Sequence, residues 1–269
     1  MVVHNKPVSF YTDKLRNNEH FSLGCYGDGE WLGILKERVG FTTTIGTTFT
    51  PDLCDALAES LHYKSDNFLF SSSEVLKNAK WTGIGEARID GYLKAHDLNI
   101  EFYEKDEWDR AMKAGELEEF IEQIRKMNVV IVGNKYLRGL NFFNYNHFIE
   151  IGYPNCYTDG TFFNACEEAI AYGKPAIYLV SCGLSAALLV QKLHGKIPDS
   201  WFIDCGSIWD IYCGIGAQRG WRGEIYSDKE KLKEFLRKTL NKFISEVEVE
   251  KQYELILRNL NEMYPNKYA

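Results

Sequence analysis

Short apolar runs recur along the chain, separated by stretches with apolar residues three or four positions apart. The clearest runs are Val129-Val130-Ile131-Val132, residues 176–180 and Trp201-Phe202-Ile203-Asp204, each followed by a turn containing glycine. Runs this continuous predict strands buried on both faces, as in a parallel sheet. Shorter runs at 21–26, 67–71, 100–103 and 149–151 predict further strands. Between them, helices are expected at 31–35, 51–61, 81–95, 107–127, 162–171 and 184–193. In 51–61, Pro51 stands at an early helical position and Leu53, Leu57 and Leu61 follow at four-residue spacing. In 107–127, Leu117, Phe120, Ile121 and Ile124 share one face. Residues 228–263 alternate Lys and Glu with Leu, Phe and Ile, which predicts two helices, or one broken helix, packed on the sheet. The expected fold is α/β and Rossmann-like: a mostly parallel sheet, helices on both faces and a helical C-terminal tail. With no repeat and no linker, residues 1–269 read as one domain, its core at about 18–214 and its tail at about 228–263.

Composition narrows the function. The net charge of -7 argues against a protein that coats nucleic acid, and against a polybasic membrane anchor. No apolar run approaches the roughly 20 residues needed to cross a bilayer, and no apolar segment follows the N-terminus as in a signal peptide. The expectation is a cytoplasmic protein without membrane insertion. The seven cysteines are odd in number and form no C-x-x-C pair, so they read as reduced, mostly buried thiols rather than a disulfide framework or zinc site. The histidines form no H-x-H or H-x-x-x-H pair. Lys135, Arg138, Arg219 and Arg222 read as solvated surface charge, with contact to phosphate as the other reading. Aromatics, at 14%, serve either a packed core or a cleft with stacking surfaces.

Open parallel sheets bind ligands outside the carboxyl ends of their strands, and three such ends carry candidate chemistry. At Cys25-Tyr26-Gly27-Asp28-Gly29-Glu30, glycine flanks Asp28 and lets backbone approach a ligand. On extended chain, Asp28 and Glu30 point the same way. Two hard oxygen ligands suit Mg²⁺ or Mn²⁺ held against a phosphate. The alternative is a polar turn in which Asp28 caps the next helix and Glu30 lies in its first turn. At Ser181-Cys182-Gly183-Leu184-Ser185, a glycine turn opens a helix whose N–H groups could bind phosphate, with the Ser185 hydroxyl beside them; an ordinary strand-to-helix turn is the other reading. At Asp204-Cys205-Gly206-Ser207, a terminal Asp either binds ribose or metal or caps a helix over 207–212. The Thr- and Gly-rich stretch 42–50 reads as a loop able to fold over a donor.

Together these ends resemble the glycosyltransferases of the GT-D fold. That family has a first-strand motif close to R-F-G-D-G-E, matched by residues 25–30, an apolar strand leading to a G-P-T-like turn, matched by 177–185, and a strand ending D-I-G-H, matched by 204–207. The resemblance spans about residues 18–214. It implies that Asp28 and Glu30 hold a divalent metal against the diphosphate of a UDP-sugar, UDP-glucose first. It also implies that Gly27, Gly29, Gly183, Ser185, Gly206 and Ser207 shape the nucleotide pocket. Asp204 or Asp210 would serve as acceptor base. The family Arg is Cys25 here, and the family His is Ser207. The acceptor would be a glycan or glycoprotein rather than a modified base in DNA. Two other readings remain: a Rossmann-like methyltransferase using S-adenosylmethionine, although Gly27-Asp28-Gly29 lacks the usual glycine arrangement, and a non-catalytic nucleotide-binding relative.

Overall fold

The computed structural model describes residues 1–42, 46–78, 83–154, 156–218 and 220–265. Its strands are β1 (Val2–His4), β2 (Ser22–Tyr26), β3 (Phe68–Ser72), β4 (Glu101–Glu104), β5 (Val129–Gly133), β6 (His147–Glu150), β7 (Ile177–Ser181) and β8 (Trp201–Asp204). They form one sheet in the order β1-β4-β3-β2-β8-β7-β5-β6, and every pairing is parallel. The apolar runs have the expected cause. Val129 and Ile131 face one hydrophobic cluster while Val130 and Val132 face the other, so no position of the run meets water.

Among the described residues the helices are α1 (Val8–Arg16), α2 (Asp28–Ile34), α3 (Pro51–Ser60), α4 (Glu86–Ala95), α5 (Asp106–Ala114), α6 (Glu118–Ile124), α7 (Thr161–Tyr172), α8 (Ala186–Leu193), α9 (Gly220–Tyr226), α10 (Lys229–Leu240) and α11 (Glu246–Met263). Helices α2, α3, α4, α7 and α8 cover one face of the sheet. Helices α1, α5, α6, α10 and α11 cover the other, so the tail is packed on the sheet as its spacing predicts. Side-chain caps mark its helix starts: Asp228 accepts from the N–H of Glu230 and Lys231, and Ser245 from that of Glu248.

Several expectations need correction. The helix expected over 107–127 is two helices, because Gly115 takes a left-handed conformation (φ 81°) that ends α5. A Cβ there would also lie 2.9 Å from the Lys238 carbonyl, so the break is where α10 passes closest. Of the stretch 81–95, the helix occupies Glu86–Ala95, and Trp81 and Thr82 lie outside the described residues. No helix spans 207–212: a short 3₁₀ turn at Asp210–Cys213 stands there. Strand β1 and helix α1 were not anticipated, since a three-residue edge strand is too short to show a period.

Leu236 is fully buried under the tail. Leu236→Ala is expected to cost about 2–5 kcal/mol in urea unfolding, and a cost near zero would mean that α10 does not belong to the core.

Candidate active site

The strand ends of β2 and β8 are where neighbouring connections part. After β2 the chain enters α2 on one face; after β8 it passes to the C-terminal helices on the other. Such a parting opens a crevice at the carboxyl edge of a parallel sheet. Here it is a cavity of about 540 Å³. Asp28, Glu30, Asp204, Asp210, Gly27, Gly29, Gly183, Gly206 and Ser207 all line it.

The turn after β2 is held by its neighbours. Trp31 is fully buried, and its indole N–H donates to Ser72 Oγ at 3.1 Å. That hydroxyl donates in turn to the Tyr26 carbonyl at 2.8 Å. Helix α2 therefore begins directly at Asp28, with Gly27 as N-cap. The expectation of an extended D-x-E is corrected: Asp28 and Glu30 occupy the first helical turn, and it is the helix that brings both into the cavity. Glu30 Oε2 accepts from the Gly27 N–H at 2.7 Å, and Asp28 is exposed at the cavity mouth. Gly29 packs so closely that a Cβ would lie 2.4 Å from Leu184.

Asp204 is buried at the end of β8. Its Oδ2 accepts from the Cys25 N–H at 3.1 Å and its Oδ1 from the Gly206 N–H at 2.9 Å, so it ties β8 to β2. Burial pushes its carboxyl up to about 7, against the pull of those two N–H groups and of Lys105. Burial, then the charges of Asp204 and Asp28, push Glu30 up to about 8. Gly183 (φ 58°) and Gly206 (φ 52°) form left-handed turns, and a Cβ on either would meet no atom within 4 Å. Backbone thus borders open cavity at both turns.

Two cations enter the same space. Lys105, just after β4, crosses Gly27 so tightly that a Cβ on Gly27 would lie 2.9 Å from Lys105 Cε. Its Nζ donates to Asp106 Oδ1 at 2.9 Å. Burial works against its charge, but Asp106, Cys25 and Glu30 more than compensate and raise its pKa. Arg222 is not the surface charge its sequence position predicts: it is 1% exposed. It donates to Asp210 Oδ2 at 3.2 Å, to the Ser207 carbonyl at 2.6 Å and to Ser207 Oγ at 2.9 Å. A positive group therefore stands near each of positions 25 and 207. Among the described residues, Arg222 Nε, Ser181 Oγ and Trp108 Nε1 are buried without a hydrogen-bond partner, and all three residues line the cavity.

Ser185 lies elsewhere. Its buried hydroxyl donates to the Cys182 carbonyl at 3.1 Å and stands 3.0 Å from Cys156 Sγ, beside a smaller neighbouring pocket. In the stretch 42–50, Thr43, Thr44 and Ile45 lie outside the described residues; Thr47 lines the cavity and donates to the Pro154 carbonyl at 3.1 Å. Arg219 is also outside the described residues. Lys135 and Arg138 are exposed, as expected. Six of the seven cysteines are buried, and Cys25, the exception, lines the cavity.

No protein-family model matches the sequence, and no curated protein matches it. Solved structures do. A structure of the domain of unknown function 1792, described as having a distinct glycosyltransferase fold, superposes with a TM-score of 0.52 at 18% identity, over 77% of this chain and 79% of that one. Its selenomethionine form gives 0.54 at 18% identity with the same coverage. A new glycosyltransferase of this domain type from Streptococcus sanguinis gives 0.54 at 15% identity, over 77% and 82% of the two chains. The chain has this glycosyltransferase fold.

Within that fold, sequence reasoning missed Lys105, Asn134, Trp108 and the burial of Arg222. Lys105 offered one signal, its place directly after a strand. Arg222 offered none, since its partners Ser207 and Asp210 lie on a separate segment.

An acid whose pKa is raised by folding binds its proton more tightly in the folded state. That contribution to stability is full below the unfolded value and is lost as pH rises through the folded value. In a chelating buffer, the melting temperature of Glu30→Gln is expected to gain on that of the wild type as pH rises from about 5 to about 9. A difference independent of pH would mean that Glu30 keeps an ordinary carboxyl.

Proposed function

We propose that the protein is a glycosyltransferase that takes its sugar from a nucleotide-sugar donor, UDP-glucose first, and passes it to a glycan or glycoprotein hydroxyl. The observation that carries this reading is the convergence of Asp28, Glu30, Lys105 and Asp204 on one cavity, at the strand ends of a glycosyltransferase fold. In sugar transfer an acceptor oxygen bonds to the anomeric carbon while the bond to the diphosphate breaks. The hydroxyl proton leaves, and negative charge grows on the departing diphosphate.

Each side chain has a place in that chemistry. Lys105 offers a fixed positive charge to the diphosphate. Ser181 and Arg222 bring unsatisfied donors to the same wall, which a polar ligand would satisfy. The glycine turns at Gly183 and Gly206 let the nucleotide approach the backbone. Asp204, with a proton affinity near neutrality, is matched to accept the hydroxyl proton, and Arg222 holds Asp210, which lines the same cavity.

The residues also fit a hard divalent cation such as Mn²⁺ or Mg²⁺. Asp28 and Glu30 are oxygen donors; burial first, then the charges of Asp204 and Asp28, raise the Glu30 carboxyl, and a cation would offset both. Among the described residues no group of three or more His, Cys, Asp or Glu side chains is arranged to hold a metal, so substrate phosphate and water would complete the coordination. When bound, such an ion would supply further neutralisation of the diphosphate.

Calorimetric titration of UDP and UDP-glucose, with Mn²⁺ and with a chelator, tests the reading. Wild-type protein is expected to bind both more tightly with Mn²⁺, and Asp28→Ala to lose that dependence. Lys105→Met is expected to weaken UDP about tenfold in either buffer, or ~1.4 kcal/mol. If the folded protein ignores every uridine nucleotide but binds S-adenosylhomocysteine, the methyltransferase reading replaces this one.

A further inference from the structure

A second cavity, of about 640 Å³, adjoins the first. Asn134, Ile151, Gly152 and Tyr153 line both, so one wall serves two spaces. The far side of the second cavity is built mainly from Tyr136, Tyr264, Glu150 and Gln218. We infer that this groove is the acceptor subsite and that its occupant is an oligosaccharide; the inference rests on the glycosyltransferase reading of the first cavity.

The chemistry of the lining is that of a sugar site. Pyranose rings carry an apolar C–H face and an equatorial belt of hydroxyls. Three tyrosines offer flat apolar surface with a polar edge, and a carboxylate and an amide offer hydrogen bonds to the hydroxyls. Two of the rings are fixed before any ligand arrives. Tyr136 donates its hydroxyl to Glu262 Oε1 at 3.2 Å, and Tyr264 donates to Gln218. Tyr136 is held again through its backbone, whose N–H donates to Asn134 Oδ1 at 3.1 Å. Rings already in place lose little freedom on binding. Tyr153 stands at the boundary of the two cavities and is 42% exposed. An acceptor lying along the groove would present its end at the shared wall, facing the site of donor cleavage.

Charge favours a glycan over a nucleic acid. The basic residues at this edge are already matched: Lys135 Nζ lies 2.5 Å from Glu262 Oε1, and Arg138 lies 3.2 Å from Glu150 Oε2. With a net charge of -7 as well, the described residues of the groove offer no cationic track for a phosphate backbone.

The test uses fluorescently labelled full-length protein, saturated with UDP and Mn²⁺, on an array of defined oligosaccharides that also carries duplex DNA. Calorimetry of UDP runs alongside. The wild type is expected to retain a subset of the oligosaccharides and no DNA. Tyr136→Ala is expected to lose that retention by about tenfold while binding UDP as the wild type does, since Tyr136 lines the groove and not the first cavity. Tyr136→Phe, which keeps the ring and loses only the hydroxyl, is expected to retain the same oligosaccharides. Retention of DNA in place of oligosaccharide, no retention at all by UDP-bound wild type, or equal retention by Tyr136→Ala would each overturn the acceptor groove. Failure of the wild type to bind UDP would instead remove the donor reading beneath it.

Discussion

Everything at the carboxyl edge of the sheet depends on how Asp204 bridges β8 and β2. The two strands are neighbours whose connections leave on opposite faces. The Asp204 carboxylate takes the Cys25 N–H of β2 on one oxygen and the Gly206 N–H of its own turn on the other, and the Cys25 thiol donates to the Asp204 carbonyl. The same bond geometry that closes the sheet keeps a charge buried at the floor of the cavity. A buried carboxylate must be compensated or protonated, and the shape of the site follows from that requirement. Lys105 is drawn over Gly27, and Gly27 must have no side chain because the lysine stem occupies that space.

The balance of charge explains how the site differs from the motifs it resembles. An arginine at position 25 would bring its cation on β2 itself. Here position 25 is a thiol that donates to the Asp204 carbonyl at 3.3 Å, and the cation comes from the end of β4. At position 207 the hydroxyl accepts from Arg222, a residue carried in by α9 from the C-terminal half of the chain. Both cations thus reach the cavity from other segments of the chain. Charge acts through distance in the folded protein, so a cation need not lie near a motif in sequence to lie near it in space.

That separation also sets what could be read from the sequence. The core strands were legible because burial on both faces leaves continuous apolar runs, and Val129–Gly133 and Ile177–Ser181 have no solvent face to interrupt them. The strand-end glycines and carboxylates were legible because a parallel sheet collects its chemistry there. The local conformation of Asp28 and Glu30 was not, since two carboxylates around a glycine fit an extended turn and a helix start equally well. What decided it was Trp31, through a hydrogen bond to Ser72 on another strand. The break at Gly115 was hidden because the apolar face continues across it; the glycine ends α5 in a left-handed conformation, and the Lys238 carbonyl leaves no room for a Cβ there. Side chains placed by contacts far along the chain leave no periodic trace.

The shared wall of the two cavities gives the arrangement its direction. Its residues come from the ends of β5 and β6, whereas the carboxylates and Lys105 come from the ends of β2, β8 and β4. In the strand order, β7 lies between these two groups. The charged end of the cavity and the tyrosine-lined groove therefore sit at opposite sides of the β7 turn, where Gly183 leaves the backbone bare. For direct transfer, an acceptor end entering from the groove must meet the donor's anomeric carbon over that turn. A bare backbone there leaves room for the two to meet, since a Cβ at Gly183 would project into space that no protein atom fills.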